Sequence, residues 1–366
     1  MRLRLPLAAV LLLSGCGDKI SLPEARGIPT SSLYLEDRPW QLTDPTDVAE
    51  IDGRLFITEA APGTLTKYRT NGETQFSVDG LDQPVALAEL EAQNLVLVGE
   101  AGSAGNPAIS IYEDLGLDFQ ARVDLTGLVK SLAALATDGT FVYISDPDSG
   151  AVHRFAWSGP GGGWLTAQGL VCNDKGSAAS PRFVRKPQGL ALDLEGMLLV
   201  CDADTTRNWV VRFDPHPPTA DPVGLGTLAA FRTESCATPP ADTFVLGDAP
   251  GCGETEFVPD PPRSPGRLFA PSGIAIDDDG RLYVADRFNR RGQRFTTDGN
   301  FDTTFGDGAG DVEPLNGPVR LATWLGSTTF EGVSIVIPGA RLYVIDRDLA
   351  QLRIYEDKRW SDFEGR

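Results

Sequence analysis

The apolar positions of this chain fall in short bursts, and the bursts come in pairs joined by a tight polar turn. The clearest pair runs Pro271-Ser272-Gly273-Ile274-Ala275-Ile276-Asp277, turns at Asp279-Gly280 and returns as Leu282-Tyr283-Val284-Ala285-Asp286. Asp-Gly between two β-rich runs is the strongest short-range hairpin signal. A third burst, Gly292 to Phe295, ends on an aromatic, and a fourth, Phe301 to Phe305, leads into a Gly-rich connection. One unit therefore predicts four short strands.

The same order recurs along the chain. Pro187-Gln188-Gly189-Leu190-Ala191-Leu192-Asp193 leads through Glu195-Gly196 to Leu198-Leu199-Val200-Cys201-Asp202. Pro45 to Ala49 leads through Asp52-Gly53 to Glu59, and Leu132 to Ala136 leads through Asp138-Gly139 to Asp146. Two copies are degenerate, one from Pro84 to Glu100 and the last from Pro318 to Asp346. The acids closing the second strand are thus Glu59, Glu100, Asp146, Asp202, Asp286 and Asp346. In four copies an aromatic follows nine residues later, at Tyr68, Phe155, Phe295 and Tyr355; Tyr112 and Phe213 follow at slightly longer spacing. Four short strands per unit of roughly 40 to 50 residues is the arithmetic of a β-propeller.

These units resemble the NHL repeat: Pro-x-Gly-Ile-Ala-Val-Asp, a turn Gly, Tyr-Val-Ala-Asp, then an Asn and a basic residue. Asp286-Arg287-Phe288-Asn289-Arg290 is similar to that tail. The resemblance covers about residues 31 to 356 and implies an all-β, six-bladed β-propeller of four-stranded blades. A seven-bladed ring with one unrecognised blade is the alternative. Only three strands follow Pro318 before the chain nears Trp360, and an unpaired fourth edge would expose backbone donors and acceptors. The lone strand Ser32-Leu33-Tyr34-Leu35-Glu36 is expected to supply the missing edge and close the ring. Residues 31–360 form the propeller, with a Pro- and Gly-rich insertion at 214–267, and residues 361–366 form a C-terminal tail. Leu325 to Ala340 is expected to widen the first turn of the last unit.

Composition narrows the class. Hydrophobic residues make up 41%, a globular fraction, and Gly (40) and Pro (27) are spread as many turns require. A net charge of −19 leaves no basic footprint for nucleic acid. Ahead of the repeats, Arg2 and Arg4 precede an apolar run, Leu5 through Leu13, too short to span a membrane comfortably. Leu13-Ser14-Gly15-Cys16 follows and resembles a bacterial lipobox. It implies a signal peptide over 1–15, acylation of the Cys16 thiol and a tether over 16–30. The chain is then lipid-anchored in the bacterial cell envelope, at the outer membrane, on its periplasmic or surface side. Of five Cys, this leaves Cys172, Cys201, Cys236 and Cys252, an even number suited to an oxidising compartment. Cys236 and Cys252 share the insertion and are the expected disulfide. Cys201 reads as a plain thiol on an apolar strand, a Cys172–Cys201 pairing being the weaker alternative.

Few residues offer chemistry. The two His, His153 and His216, have no orienting partner visible in the sequence, so no nucleophilic triad assembles. No Cys/His spacing suits zinc. Gly306-Asp307-Gly308-Ala309-Gly310-Asp311 hints at a calcium loop but lacks the closing Glu. The six acids read as caps that accept N–H groups from the turn after the second strand, the alternative being a cation site at one channel mouth. Propellers bind with the face carrying the blade-to-blade connections and the second-to-third-strand loops. Here that face is expected to present Gln188, Asp204, Trp209, Ser272, Arg287, Arg320, Arg347 and Asp348. Two functions follow. One is a monomeric, non-catalytic binding or scaffold module without cofactor, taking a protein or glycan partner in the envelope. The other is a calcium- or zinc-dependent propeller enzyme resembling lactonases or amidating lyases. The first strands read apolar-Ala-apolar, with few polar groups to converge on a metal, and this favours the binding module.

Overall fold

Turn residues fold each pair of bursts into a hairpin. In a computed structural model of the chain, Asp52 and Gly53 both hold positive φ (50° and 72°). A two-residue hairpin uses that pair of conformations to match the twist of its strands. In longer turns a carboxylate at the end of the first strand ties the loop. Asp193 Oδ1 accepts the N–H groups of Glu195 and Met197, both at 2.9 Å. Asp138 and Asp277 hold their own turns in the same way.

The structure describes residues 33–35, 39–172, 184–204, 208–215, 227–228, 245–247, 265–308, 314–330 and 333–357, with backbone alone for 33–35, 227–228, 245–247 and 325–340. The hairpins make six antiparallel sheets. From the centre outwards, blade 1 holds Pro45–Ile51, Arg54–Glu59, Thr64–Arg69 and Thr74–Val78. Blade 2 holds Pro84–Leu90, Leu95–Glu100, Ala108–Glu113 and Phe119–Asp124. Blade 3 holds Ala134–Thr137, Phe141–Asp146, Ala151–Gly159 and Trp164–Cys172. Blade 4 holds Pro187–Leu192, Leu198–Asp202 and Trp209–Asp214, and blade 5 holds Pro271–Ile276, Leu282–Asp286, Arg291–Phe295 and Phe301–Phe305. Blade 6 holds Pro318–Phe330, Val333–Asp346 and Gln351–Asp357. The first strands stand side by side in a ring, with blade 1 meeting both blade 2 and blade 6. Six blades close the circle, and no seventh is needed.

Blade 6 takes its outer strand from the start of the propeller. Leu33–Leu35 pairs with Gln351–Asp357, Leu33 opposite Asp357 and Leu35 opposite Tyr355. Trp40–Gln41 pairs with the other half of the same strand. Two details depart from the repeat. Thr227–Leu228 and Val245–Gly247, inside the 214–267 insertion, both pair with the third strand of blade 4 and complete that sheet. Leu325 to Ala340 is not a widened turn: the first two strands of blade 6 simply run on, paired as far as Phe330 opposite Val333.

The core is divided into six, one cluster in each cleft between neighbouring blades. The nine-residue spacing from acid to aromatic has a geometric origin. Tyr68, Phe155, Phe295 and Tyr355 each face the second-strand residue four before the acid: Leu55, Val142, Leu282 and Leu342. Tyr112 and Phe213 face the equivalent Val96 and Leu198, and their longer spacing reflects longer loops. Neighbouring sheets approach closely at the centre, where every first strand carries an alanine at the equivalent position: Ala49, Ala88, Ala136, Ala191, Ala275 and Ala322.

Candidate functional site

The six acids occupy one structural role, and it is not quite the expected one. Each lies at the end of a second strand and accepts N–H groups from the connection entering its own blade. Glu59 takes the N–H of Thr43 (2.5 Å), Glu100 that of Asp82 (2.7 Å), and Asp146 those of Lys130 and Ser131 (2.8 and 3.1 Å). Asp202 takes Arg185 and Lys186 (3.0 and 2.8 Å), Asp286 takes Phe269 (2.6 Å), and Asp346 takes Asn316 and Gly317 (2.8 and 2.9 Å). Asp146 and Asp202 also bond backbone N–H groups in the turn that follows, and Asp286 bonds the Asn289 amide there. Third-strand donors complete the cage: His153 on Asp146, Trp209 on Asp202, and Arg291 with Gln293 on Asp286. His153 therefore has an orienting carboxylate that sequence reasoning missed. Burial pushes the Asp146 carboxyl up, but the bonds from His153, Lys130 and Ser149 hold it well below the usual range. With acceptor and imidazole both engaged in a buried cap, no nucleophile–base pair results.

The channel is closed from inside. Val48, Leu87, Leu135, Leu190, Ile274 and Leu321, each immediately before the alanine of its first strand, line a residual cavity of only about 80 Å³. The residues two before each alanine give it its polarity. They are Gly189 and Gly273 in blades 4 and 5, Ala86 and Ala134 in blades 2 and 3, but Asp47 in blade 1 and Arg320 in blade 6. Arg320 lies across the channel rather than on the connection face. Its guanidinium donates to the carbonyl of Ser272 at 2.5 Å and to that of Ala133, in the opposite blade. Its Nε lies 3.7 Å from Asp47 Oδ1. Asp47 accepts the N–H of Leu87 and of Val48, both at 2.8 Å. Burial pushes its carboxyl up to about 6, against the lowering effect of Arg320 and those two bonds. The departure from Gly or Ala at this position of blades 1 and 6 was the signal available in the sequence.

Further along the same strands, the residues just after each alanine are Glu50, Glu89, Thr137, Leu192, Ile276 and Thr323. Burial pushes Glu50 up to about 6 and Glu89 up to about 7, the latter with added repulsion from Asp52, Glu91, Asp114 and Glu50.

On the connection face, Arg287 and Asp348 approach within 4.0 Å and Arg347 reaches Asp44 at 3.2 Å. Asp204 lies 3.8 Å from Arg185, and Gln188 is half-buried. Trp209 and Ser272, expected there as exposed side chains, are buried: the indole N–H is spent on Asp202, and Ser272 Oγ donates to the Pro318 carbonyl. Phe288, 54% exposed beside Arg287, is an apolar member of this face that the sequence reading did not name.

Cys172 and Cys201 are buried free thiols in different inter-blade clusters, which removes the alternative pairing between them. Burial pushes the Cys201 thiol up to about 12. Asp307 accepts a bond from Thr304 Oγ1 at 3.1 Å, and the rest of that loop, 309–313, lies outside the described residues. Cys16, Cys236, Cys252 and His216 lie outside them too. Among the described residues no cluster of three or more His, Cys, Asp or Glu is arranged to hold a metal.

This geometry defines a six-bladed β-propeller with a plugged channel. No protein-family model and no curated protein matches the chain. Solved structures do. A protein of unknown function from Bacteroides thetaiotaomicron superposes with a TM-score of 0.54 at 13% identity, over 88% of this chain and 72% of the other. A gluconolactonase from Xanthomonas campestris gives 0.52 at 13% identity, over 90% and 99%. A streptogramin B lyase gives 0.50 at 11% identity, over 88% and 97%. At such identities the likeness is one of fold, and propellers host both enzymes and binding modules.

Proposed function

We propose that this propeller is a non-catalytic binding module, monomeric and held in the bacterial cell envelope by a lipid on Cys16, which takes a protein or glycan partner. The observation that carries this reading is the plugged channel. A divalent cation at the ring centre would meet the Arg320 guanidinium, and the one carboxylate beside it, Asp47, already accepts two backbone N–H bonds. That donor set repels a cation instead of holding one. A rigid ring with variable loops is a recognition scaffold in its own right.

A second reading, a propeller hydrolase or lyase, draws support from Glu50 and Glu89, whose raised carboxyl pKa values are of the kind that general acids and bases use. The test is direct. Bound calcium and zinc are quantified on the purified mature domain, and turnover is assayed on lactone and ester substrates, with Glu89→Gln alongside. The binding-module reading expects neither stoichiometric metal nor turnover. Turnover lost in Glu89→Gln, with a melting temperature no lower than the parent's, would replace it with the enzyme. For the anchor, Cys16→Ala is expected to move the protein from the membrane to the soluble fraction; an unacylated native N-terminus in mass spectrometry would refute the anchor.

A further inference from the structure

The first two strands of blade 6 are 13 and 14 residues long, whereas no first or second strand of another blade exceeds 7. The excess lies at one end. Asp346 closes the second strand at the connection face, so Val333, where that strand begins, lies at the opposite face of the ring. The third strand follows only as far as Glu356 opposite Arg341. Past that row the first two strands continue as a pair, to Phe330 opposite Val333. At about 3.3 Å per residue this ribbon extends about 20 Å beyond the three-stranded part. Among the described residues no further strand joins it there. A two-stranded ribbon is marginal by itself in water and gains stability from a surface against its apolar face.

The register sorts the residues of the ribbon. Partners directly opposite share a face, and neighbours along a strand alternate. Phe330, Val333, Ile335 and Ile337 therefore fall on one face, with Gly326 and Thr328. Ser327, Thr329 and Ser334 fall on the other, with Val336. From 325 to 340 only Glu331 is charged, in a chain that is 23% charged. Where the chain leaves the ring says what this apolar face meets. Leu33 pairs with Asp357, the last residue of the third strand, at the same end of the same blade as the ribbon. Leu33 is about 17 residues from Cys16, a reach of about 60 Å at full extension. A lipid on Cys16 would thus tie the ribbon end of the ring to the membrane, within reach of a ribbon about 20 Å long.

We propose that the apolar face of this ribbon inserts into the lipid surface, as a second membrane contact that turns the connection face outward to the partner. The proposal rests on the anchored reading above, which brings lipid to this end of the ring. With Glu331 its sole charge, the ribbon attaches by apolar burial and needs no anionic headgroup. The test is co-sedimentation of the mature chain, residues 16–366 carrying Cys16→Ala, with phosphatidylcholine–phosphatidylethanolamine vesicles, in about 0.1 M and about 1 M salt. Saturable binding at both salt concentrations is expected. It should weaken about tenfold or more in Phe330→Thr and in Ile335→Thr, and stay unchanged in Thr329→Ala on the other face. Threonine keeps the strand preference, so melting temperatures should hold. The proposal is overturned if the vesicles do not bind the chain, or if both threonine variants bind as the parent does. Binding confined to phosphatidylglycerol vesicles and abolished by salt would overturn it too. A dimer in analytical ultracentrifugation that Phe330→Thr dissolves and vesicles leave intact would give the face to a second copy instead. Mass spectrometry of the native chain separates this proposal from the anchor. An unacylated N-terminus with vesicle binding intact would remove the lipid on Cys16 and leave the ribbon as the membrane contact. An acylated chain whose mature domain ignores vesicles would remove the ribbon and leave the anchor.

Discussion

At the scale of single residues, the repeat conserves its backbone connections through buried side chains. Asp286 is fully buried and holds the Phe269 N–H, Asn289, Arg291 and Gln293. Asp286→Ala would take the carboxylate from the Arg291 guanidinium, which is 4% exposed and also donates to the Arg267 carbonyl. Breaking a buried pair from one side costs about 3 kcal/mol or more. Urea denaturation should show a loss of that order; an unchanged midpoint would mean the cage is not what holds the connection. Gly273 is needed for a different reason. Its φ is unremarkable, but a Cβ there would sit 2.4 Å from the Val319 carbonyl oxygen of blade 6. Gly273→Ala should therefore cost about 2 kcal/mol by overpacking, whereas a variant as stable as the parent would show that the inner strands can part. The sequence disclosed Asp286 through an acid at the same place in every unit, and Gly273 through Gly189 alone. It did not disclose their partners. The cap's donors come from the incoming connection, more than a dozen residues upstream, and no local spacing points there. Arg320 was legible as an oddity in a column of small residues, yet only the ring places its head against a blade on the far side.

At the scale of elements, hairpins were the readable unit. Turn pairs such as Asp52-Gly53 and the short apolar bursts on either side settled the strands, because both are local. What local signals do not encode is which strand completes a sheet whose fourth member is missing. Blade 6 is completed by Leu33–Leu35 from the other end of the propeller, and blade 4 by two fragments of an insertion with no repeat character. The first was reachable by arguing that an open edge must be covered. The second was not, since Pro- and Gly-rich sequence carries no strand periodicity. Closure gives a test. Tyr34 pairs with Glu356, and Tyr34→Pro would remove a donor from the ladder or force the strand aside. The variant should melt lower than the parent and associate in light scattering as the uncovered edge of Gln351–Asp357 finds partners. If melting and monodispersity were both unchanged, the N-terminal strand would be an accessory and not the latch of the ring.

At the scale of the whole molecule, the ring gathers carboxylates that the chain keeps far apart, and their titration should appear as a pH dependence of folding. Asp47, Glu50 and Glu89 stand at about 6, 6 and 7 in the folded protein, above ordinary values of 3.8, 4.5 and 4.5. Between those limits the folded state binds more protons than the unfolded chain. Stability therefore falls as the pH rises through that window and is lowest above about pH 7. Asp146 has the opposite sign. Its carboxyl is held below the ordinary 3.8, so the stability it contributes is present above that value and is lost as the pH falls further. The two trends place the maximum between them, in mildly acidic solution, where the self-repulsion of a chain of net charge −19 is also reduced as its carboxylates take up protons. Glu89 is the most displaced of the three. It occupies a strand position where blades 3 to 6 carry Thr137, Leu192, Ile276 and Thr323, and it meets Asp52 and Glu50 only because blades 1 and 2 are neighbours, Glu91 and Asp114 being in its own blade. Glu89→Gln removes the charge that burial and those acids oppose. The variant should melt above the parent at about pH 8, with the two curves converging near about pH 5, where Glu89 is already protonated. A melting difference independent of pH would assign the effect of the substitution to packing. A parent protein whose melting temperature rises steadily from about pH 5 to about pH 8 would show that these carboxylates are better solvated than the closed channel implies.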